Sequence, residues 1–209
     1  MRLHFTPGSP FARIVRVMVR EIGLACEEVE ITKFPPPAAY FTVNPLGQVP
    51  ALETSDGIRF PTRIITDFLL GLPRPAGSDF AGSVRRTDDC WQDEQTLAVL
   101  LAMGNALAAM MYQGWAGLEP VGNNLIGYDP AERNMERVQR TLDWLEERSS
   151  VAGFLPSGLS VQDIALGCIV LWTEARGGIG WRGRPQLQAI VASCAVRPSF
   201  VATEPQPWP

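Results

Sequence analysis

The chain has 209 residues and a formal net charge of −4 at pH 7, a length that allows one large or two small domains without disulfides. Its four cysteines are widely spaced and form no C-x-x-C pair, and it has a single histidine, so we expect buried thiols in a reducing compartment and no zinc site. The basic residues form no stripe, which argues against a nucleic-acid partner.

A strand, a turn and the start of a helix are predicted within the first twelve residues. LHF alternates as a strand does, and from Phe11 to about Ile22 apolar residues recur at helical spacing. No long apolar signal segment precedes the strand, so we expect no export. Serine is a favoured N-cap and proline a favoured first helical residue, which predicts Ser9 as the cap and Pro10 as the opening of this helix. Whether the Ser9 hydroxyl also carries chemistry stays open at this point.

The next fifty residues alternate between strand and helix patterns. Gly23 is suited to end the first helix, and three consecutive prolines exclude regular structure after the second strand. The predicted elements are the strand EEVEI, the helical segment AAYFTVN, the strands VPAL and IRF around the turn Ser55-Asp56-Gly57, and the helix TRIITDFLL. The order is β-α-β-α-β-β-α, with the first two strands parallel and the last two antiparallel.

Beyond this module the sequence is helical. We predict a first domain over residues 1–72, a proline- and glycine-rich linker over 73–81 and a helical domain over 82–209. Helices are predicted at 82–112, 130–148 and 185–195, and a further one follows the capping box that Ser160 and Asp163 form ahead of IALGCIVLW. The longest apolar stretch, 97–112, is interrupted by Gly104 and Asn105 and is shorter than the ~20 residues that cross a bilayer, so we expect no membrane association.

A proline stands directly before the predicted strand VPAL. Because proline removes a ladder hydrogen bond, Pro50 must take the first position of that strand. If the Val49-Pro50 bond is cis, the Val49 backbone turns outward, and its N–H and C=O can pair with an extended ligand as an added strand would. From the residues alone a plain loop-to-strand proline is the alternative.

Together these motifs resemble a known family. SPFARIVRV after the first strand, NPLGQVPAL ahead of the third and SVQDIAL in the helical part are similar to the cytosolic glutathione S-transferases, and WRGRPQLQAI and RPSFVAT resemble the last helices of bacterial members. The resemblance covers nearly the whole chain. It implies an α+β thioredoxin-like N-terminal domain with a mixed four-stranded sheet and an all-α C-terminal domain, in a cytoplasmic homodimer that uses glutathione, and no metal, in detoxification.

The resemblance also implies roles for particular residues. Ser9 stands at the position of the hydroxyl that activates the glutathione thiol, Phe11 at the aromatic beside it, and Gln48, Val49 and Pro50 at the segment that holds the glutathione cysteine. A thiol with a pKa near ~8.5 is mostly protonated at pH 7, and lowering that pKa by two units takes ~2.7 kcal/mol of thiolate stabilisation. An O–H donor together with the positive end of a helix is able to supply it.

Serine at this position also bears on the reaction type. A cysteine there could form a mixed disulfide with glutathione, whereas serine only donates a hydrogen bond. Ser9 therefore favours conjugation over a glutathione-dependent reductase. Thr6 offers a second hydroxyl nearby, for which capping of the strand end is the structural alternative.

One stretch departs from the family pattern. Where the family usually has an acidic residue or glutamine followed by serine, this chain has Pro61 and Thr62. Thr62 is able to hold the γ-glutamyl carboxylate at a helix N-terminus, or it is a plain N-cap, but Pro61 cannot pair with the ammonium group. Lys33 is the candidate for the other end of the tripeptide, with a solvated surface lysine as the alternative.

The helical domain offers a candidate pocket for a small hydrophobic electrophile. Met110, Tyr112 and Trp115 are assigned to it, together with the neighbouring Met103 and Met111, although such stripes also pack into cores. Phe11 has the same alternative, and Asp67 is expected to be solvated. The rival to a transferase is a non-catalytic binding protein of the same fold, for which Pro61 is the best support.

Overall fold

The N-terminal part of the chain forms the predicted mixed sheet. The computed structural model describes residues 1–33, 35–73, 90–117, 129–155 and 158–205. The first elements are β1 (Arg2–Phe5), α1 (Pro10–Ile22), β2 (Glu27–Glu30), a 3₁₀ helix (Ala38–Thr42), β3 (Ala51–Thr54), β4 (Gly57–Arg59) and α2 (Thr62–Leu70). The strand order is β2-β1-β3-β4, with β1 parallel to β2 and the other pairs antiparallel. The element order and both strand directions that we predicted are confirmed.

Two predicted boundaries shift in this part. The segment AAYFTVN is a 3₁₀ helix that ends at Thr42 rather than at Asn44. Pro50 precedes the first residue of β3, Ala51, instead of occupying the strand. The Asn44 N–H still donates to the Tyr40 carbonyl at 2.9 Å, so the turn itself continues to Asn44. Pro50 has no N–H with which to join the strand ladder.

The rest of the described chain is helical. It forms α3 (Cys90–Trp115), α4 (Pro130–Glu146), α5 (Val161–Glu174), α6 (Pro185–Ala195) and the short α7 (Pro198–Val201). The predicted linker lies outside the described residues apart from Pro73, and so do residues 82–89 of the first helical window. The helix predicted at 185–195 is confirmed with both of its ends.

The apolar stretch of α3 is part of a longer helix than the sequence predicted. Gly104 and Asn105 lie inside the helix and do not interrupt it. Among the described helices α3 is long and apolar enough to cross a membrane, and 33% of its most apolar window is buried, so our length argument against a spanning segment was wrong. In this fold α3 packs against α4 and α5, and a core helix meets the same criterion of length and hydropathy.

Helix α5 is the centre of the helical part. It is buried along nearly its whole length and packs against α1, α3 and α6. The capping box is confirmed: Ser160 accepts from the Asp163 N–H at 3.2 Å, and the Asp163 carboxylate accepts from the Ser160 N–H at 2.7 Å. Burial raises the pKa of Asp163, and hydrogen bonds from Ser160 and Phe154 oppose that rise. The box thus satisfies polar groups that would otherwise be orphaned in the core.

Helix α5 meets α6 and α7 at a glycine. A Cβ atom added to Gly167 would lie 3.0 Å from Cys194 Cβ and 3.0 Å from Phe200 Cε1. Both neighbours are buried. The absence of a side chain at Gly167 therefore lets these helices approach closely.

Helix α7 packs onto α1. Arg197 binds Glu21 through Nε at 2.8 Å and Nη2 at 2.6 Å, and Ser199 donates to the same carboxylate. Burial alone would raise the pKa of Glu21, but the hydrogen bonds from Arg197 and Ser199 outweigh it, and the pKa is lowered. Arg13 adds a buried hydrogen bond from α1 to the Phe200 carbonyl at 3.1 Å.

The expectation of buried thiols is confirmed for two of the four cysteines. Cys168 and Cys194 are buried, and desolvation raises the pKa of both thiols, that of Cys168 to about 12. Cys26 is only half-buried, and desolvation raises its pKa as well. The side chain of Cys90 is outside the described part of the structure.

Candidate functional site

A large cleft lies between the sheet module and the helical part. Its volume is about 1220 Å³, and it is lined by the loop after β1, the loop before β3, the start of α2 and the exposed face of α3. The residues of our candidate set that line it are Ser9, Phe11, Lys33, Gln48, Val49, Pro50, Thr62, Tyr112 and Trp115. Met110 is not among its lining residues. The fold thus brings nine of the ten candidates to one cavity.

Ser9 caps α1 at the wall of this cleft. It has extended backbone angles (φ −90°, ψ 118°), and its Oγ accepts a hydrogen bond from the Ala12 N–H at 3.1 Å. The predicted cap is confirmed. The Ser9 side chain donates to no group within the described part of the chain. Its lone pair therefore serves the helix, while its O–H lies beside the cleft at the positive end of α1.

The backbone around Ser9 is held at several points. The Ser9 N–H donates to the Thr6 carbonyl at 3.1 Å, and the Ser9 carbonyl accepts from the Arg13 N–H at 3.0 Å. Thr6 itself lines the cleft next to Ser9. These two bonds restrain the Ser9 backbone from the preceding turn and from the first turn of α1.

The Val49-Pro50 peptide bond is cis. Gln48, the residue before Val49, is held in place by two hydrogen bonds: its carbonyl accepts from the Tyr40 hydroxyl at 2.8 Å and from Asn44 Nδ2 at 2.6 Å. Both donors are buried, Asn44 at 1% and Tyr40 at 5% exposure, and desolvation raises the pKa of Tyr40 to about 12, which keeps its hydroxyl a donor. These bonds link the 3₁₀ helix and the turn after it to the cleft wall, and we did not predict them.

The start of α2 corrects one of our two readings of Thr62. Pro61 occupies the N-cap position after a second cis bond, Phe60-Pro61, which we had not predicted. Thr62 is the first helical residue and not the cap, because the extended residue that precedes the helix is Pro61. Thr62 is 5% exposed and lines the cleft. Within the described residues its hydroxyl makes no hydrogen bond, and it lies beside the N–H groups of the first helical turn.

Charged residues lie at two places in the cleft. Lys33 is exposed and lines it next to Glu30. Arg63 and Glu94, which also line it, form an ion pair from α2 to α3. The expected solvated Asp67 is exposed and lies 3.4 Å from Arg63. The Arg63–Glu94 pair was not predicted, because its partners lie on different domains.

Helix α3 supplies a wall of small and aromatic side chains. Tyr112 and Trp115 are 55% and 46% exposed and meet edge to face, with ring centroids 5.4 Å apart. Toward the middle of the helix the cleft is lined by the small side chains of Ala98, Ala102, Ala108 and Ala109 and by the amide of Asn105. Met103 is buried in the core and Met111 packs against it, so these two methionines take the core alternative, whereas Met110 is half-buried and belongs neither to that core nor to the cleft lining.

Two aromatic residues connect the cleft to the helical core. The Phe11 ring lies against Gly104, where an added Cβ would be 3.1 Å from Phe11 Cζ. Trp172 of α5 is 3% exposed, lines the cleft and donates from Nε1 to the Gly8 carbonyl at 2.7 Å. The sequence indicated no role for Trp172, since its partner lies far away along the chain in the other domain.

The lining of the cleft is polar on the sheet side and apolar on the α3 side. Among the described residues no three His, Cys, Asp or Glu side chains come together in a way that could hold a metal ion. The cleft instead offers backbone groups, hydroxyls and helix N-termini on the sheet side, and aromatic and alanine side chains on the α3 side.

Comparisons with known proteins agree with this architecture. Residues 3–74 match the family model described as glutathione S-transferase, N-terminal domain. An uncharacterized GST-like protein of Escherichia coli (strain K12), YibF, is 27% identical and is covered over 98% of both chains. The structure is similar to a glutathione S-transferase from Methylobacillus flagellatus KT with glutathione bound, with a TM-score of 0.80, 23% identity and coverage of 98% of this chain and 99% of that one.

A second solved structure gives the same result. A glutathione transferase family member from Pseudomonas fluorescens Pf-5 with bound glutathione matches with a TM-score of 0.78, 24% identity and 99% coverage of both chains. The predicted fold is thereby confirmed: the chain has a thioredoxin-like N-terminal domain with a four-stranded mixed sheet, followed by a helical C-terminal region, as glutathione transferases have.

Proposed function

We propose that the protein is a glutathione transferase in which Ser9 stabilises the glutathione thiolate for attack on a small hydrophobic electrophile. The observation that carries the proposal is the placing of Ser9, Val49 and Thr62 on one cleft in a fold whose solved relatives contain glutathione. The proposed protein is a cytoplasmic homodimer that acts in detoxification, with no metal.

The sheet side of the cleft is assigned to glutathione. The backbone of Val49, turned by the cis bond and braced through Gln48, pairs with the backbone of the tripeptide's cysteine. The hydroxyl of Thr62 and the N–H groups at the start of α2 bind the γ-glutamyl carboxylate, and Lys33 binds the carboxylate of the glycine end. Phe11 packs beside the thiol.

The reaction is a nucleophilic substitution or addition in which the glutathione sulfur attacks an electrophilic carbon. The glutathione thiol loses its proton to solvent, and the O–H of Ser9 and the positive end of α1 stabilise the thiolate. The sulfur lone pair forms a bond to carbon, and a leaving group departs with its bonding pair or, in an addition, the acceptor carbon chain takes a proton. Tyr112, Trp115 and the alanine face of α3 hold the electrophile.

Pro61 weakens this site without closing it. No carboxylate stands at its position to meet the γ-glutamyl ammonium, and the loss of one charge-assisted contact costs about 1–3 kcal/mol of binding. We therefore expect glutathione to bind about ten- to a hundredfold more weakly than to a site with that contact. The same residue favours the second candidate, a binding protein of this fold that performs no conjugation.

Glutathione binding and conjugation separate the two candidates. Calorimetry should show binding of glutathione to the wild-type protein, and a chromogenic aryl halide should react with glutathione in its presence. Ser9→Ala should keep most of the binding and lose at least tenfold in kcat, since it removes the thiolate donor while leaving the groups that bind the rest of glutathione. Binding without conjugation by the wild type would support the binding protein. The absence of both glutathione binding and a glutathione-induced thermal shift would overturn the transferase and leave only a binding protein whose ligand is not glutathione.

A further inference from the structure

The peptide bond that leads into Ser9 is held from the other domain. Trp172 of α5 donates its indole N–H to the Gly8 carbonyl at 2.7 Å. The N–H of the same peptide, which belongs to Ser9, donates to the Thr6 carbonyl at 3.1 Å. Both polar ends of the Gly8-Ser9 peptide are therefore bonded, one to its own turn and one to the helical domain.

Trp172 is itself rigidly placed. Its side chain is 3% exposed on a helix that is buried on nearly all sides. The Arg176 guanidinium lies 4.9 Å from the Trp172 ring centroid, and Arg176 Nη1 donates to the Trp172 carbonyl at 3.1 Å. The indole N–H is thus a fixed donor, and it reaches a carbonyl on the cleft wall.

The plane of the Gly8-Ser9 peptide sets the direction of the Ser9 side chain. Rotation of that plane changes the backbone angle φ of Ser9 and swings its Cβ, because the peptide itself is rigid. Gly8 has no side chain to restrict such a rotation. The cap bond from Ala12 fixes the Oγ lone pair, and the Trp172 bond fixes the backbone from which that oxygen extends.

We propose that Trp172 is a positioning residue, whose hydrogen bond to Gly8 aims the Ser9 hydroxyl at the thiolate. This inference rests on the proposed function, since it needs the Ser9 O–H to act on glutathione sulfur. The helical domain then contributes to the thiolate's stabilisation as well as to the electrophile's pocket. A displacement of about 1 Å at a reacting group is able to cost about a hundredfold in rate, so a bond of ordinary strength has a large effect here.

The test is Trp172→Phe, which keeps an aromatic ring and removes the N–H. The matched control is Trp181→Phe: Trp181 is 4% exposed and donates its N–H to Glu174 at 2.9 Å, but does not line the cleft. Glutathione affinity is measured by calorimetry, and the thiolate is followed by its ultraviolet absorbance across a pH titration. Turnover is measured with the aryl halide as the electrophile.

We expect Trp172→Phe to bind glutathione within about twofold of wild type, to form the thiolate at higher pH and to lose about tenfold in kcat. Trp181→Phe should leave the thiolate titration unchanged. In the Ser9→Ala background, Trp172→Phe should cause no further shift of the thiolate titration, because it acts through the Ser9 hydroxyl.

Unchanged thiolate titration in a folded Trp172→Phe protein, or an equal shift with and without Ser9, would overturn the proposal. If Trp172→Phe fails to fold, a 3-benzothienyl analogue at residue 172, which keeps the shape of tryptophan and lacks the N–H, makes the same comparison. Failure of the proposed function is distinguishable, because then the wild-type protein itself forms no thiolate with glutathione.

Discussion

At the scale of single residues, the cap that Ser9 forms and the thiolate donor that we propose for it use different parts of one hydroxyl. The oxygen lone pair accepts from the Ala12 N–H, and the proton is left for the cleft. A helix cap needs only an acceptor, while a thiolate needs a donor. The two roles therefore coexist, and they can be separated by changing the side chain.

Ser9→Asp should keep the cap and lose the donor. Aspartate is a good N-cap and its charge suits the positive end of α1. The free energy of unfolding of the Ser9→Asp protein should therefore match that of wild type. Ser9→Ala should lose about 1 kcal/mol of that free energy. The carboxylate should also raise the pKa of bound glutathione through like-charge repulsion. Denaturant unfolding and the thiolate titration measure the two effects, and a wild-type titration in Ser9→Asp would contradict the donor role.

At the scale of elements, close approach of helices depends on glycine. The space where Gly167 would carry a Cβ is bounded by Cys194 Cβ and Phe200, both at 3.0 Å, whereas nothing lies within 4 Å of the corresponding position at Gly114 in α3. The two glycines therefore differ in packing although both lie in helices. Helix propensity alone would favour alanine at each.

Gly167→Ala should destabilise the protein, and Gly114→Ala should not. Overpacking costs about 1–3 kcal/mol, which exceeds the ~1 kcal/mol that alanine gains over glycine in a helix. At Gly114 only the propensity gain acts. Thermal and denaturant unfolding of both variants provide the comparison, and a Gly167→Ala protein as stable as Gly114→Ala would show that α6 and α7 shift without cost.

The elements were predictable from the sequence where a local signal dictates them. Ser9 with Pro10, Gly23 and the Ser160–Asp163 box mark helix ends by their own backbone chemistry, and all three were placed correctly. Trp172 was missed because it donates to a carbonyl that only the folded chain brings near. Tyr40 and Asn44 donate to a carbonyl close by in the chain, but the direction of that carbonyl depends on the path of the loop, which no local motif signals. Thr62 was assigned two roles, and the structure excludes the cap because Pro61 takes that position.

At the scale of the whole molecule, α7 fastens the helical part to α1 through a carboxylate. Glu21 meets both Arg197 and Ser199, with its side chain 8% exposed. Its pKa in the fold lies below the ordinary value of 4.5. The ionised form is therefore favoured by folding, so its contribution to stability is present above pH 4.5 and is lost as the pH falls through the lowered pKa.

Glu21→Gln should lower the free energy of unfolding at pH 7 and flatten its dependence on pH below 4.5. Removing the charge leaves Arg197 without its carboxylate, a loss of about 1–3 kcal/mol. Glu136→Gln is the control, since its pair with Arg140 is exposed and such pairs contribute little. Urea unfolding at pH 7 and pH 4 measures both variants, and an acid-induced loss in Glu21→Gln as steep as in wild type would contradict the assignment.

The outer strands of the sheet restrict how copies of this protein can associate. Strands β2 and β4 form the two edges, with four and three residues. Three of the four residues of β2 are glutamates, Glu27, Glu28 and Glu30, and arginines of the same chain pair with Glu27 and Glu28. Charged side chains on one edge strand and the shortness of the other disfavour pairing with a further strand. Extension of the sheet from one molecule to the next is thereby disfavoured.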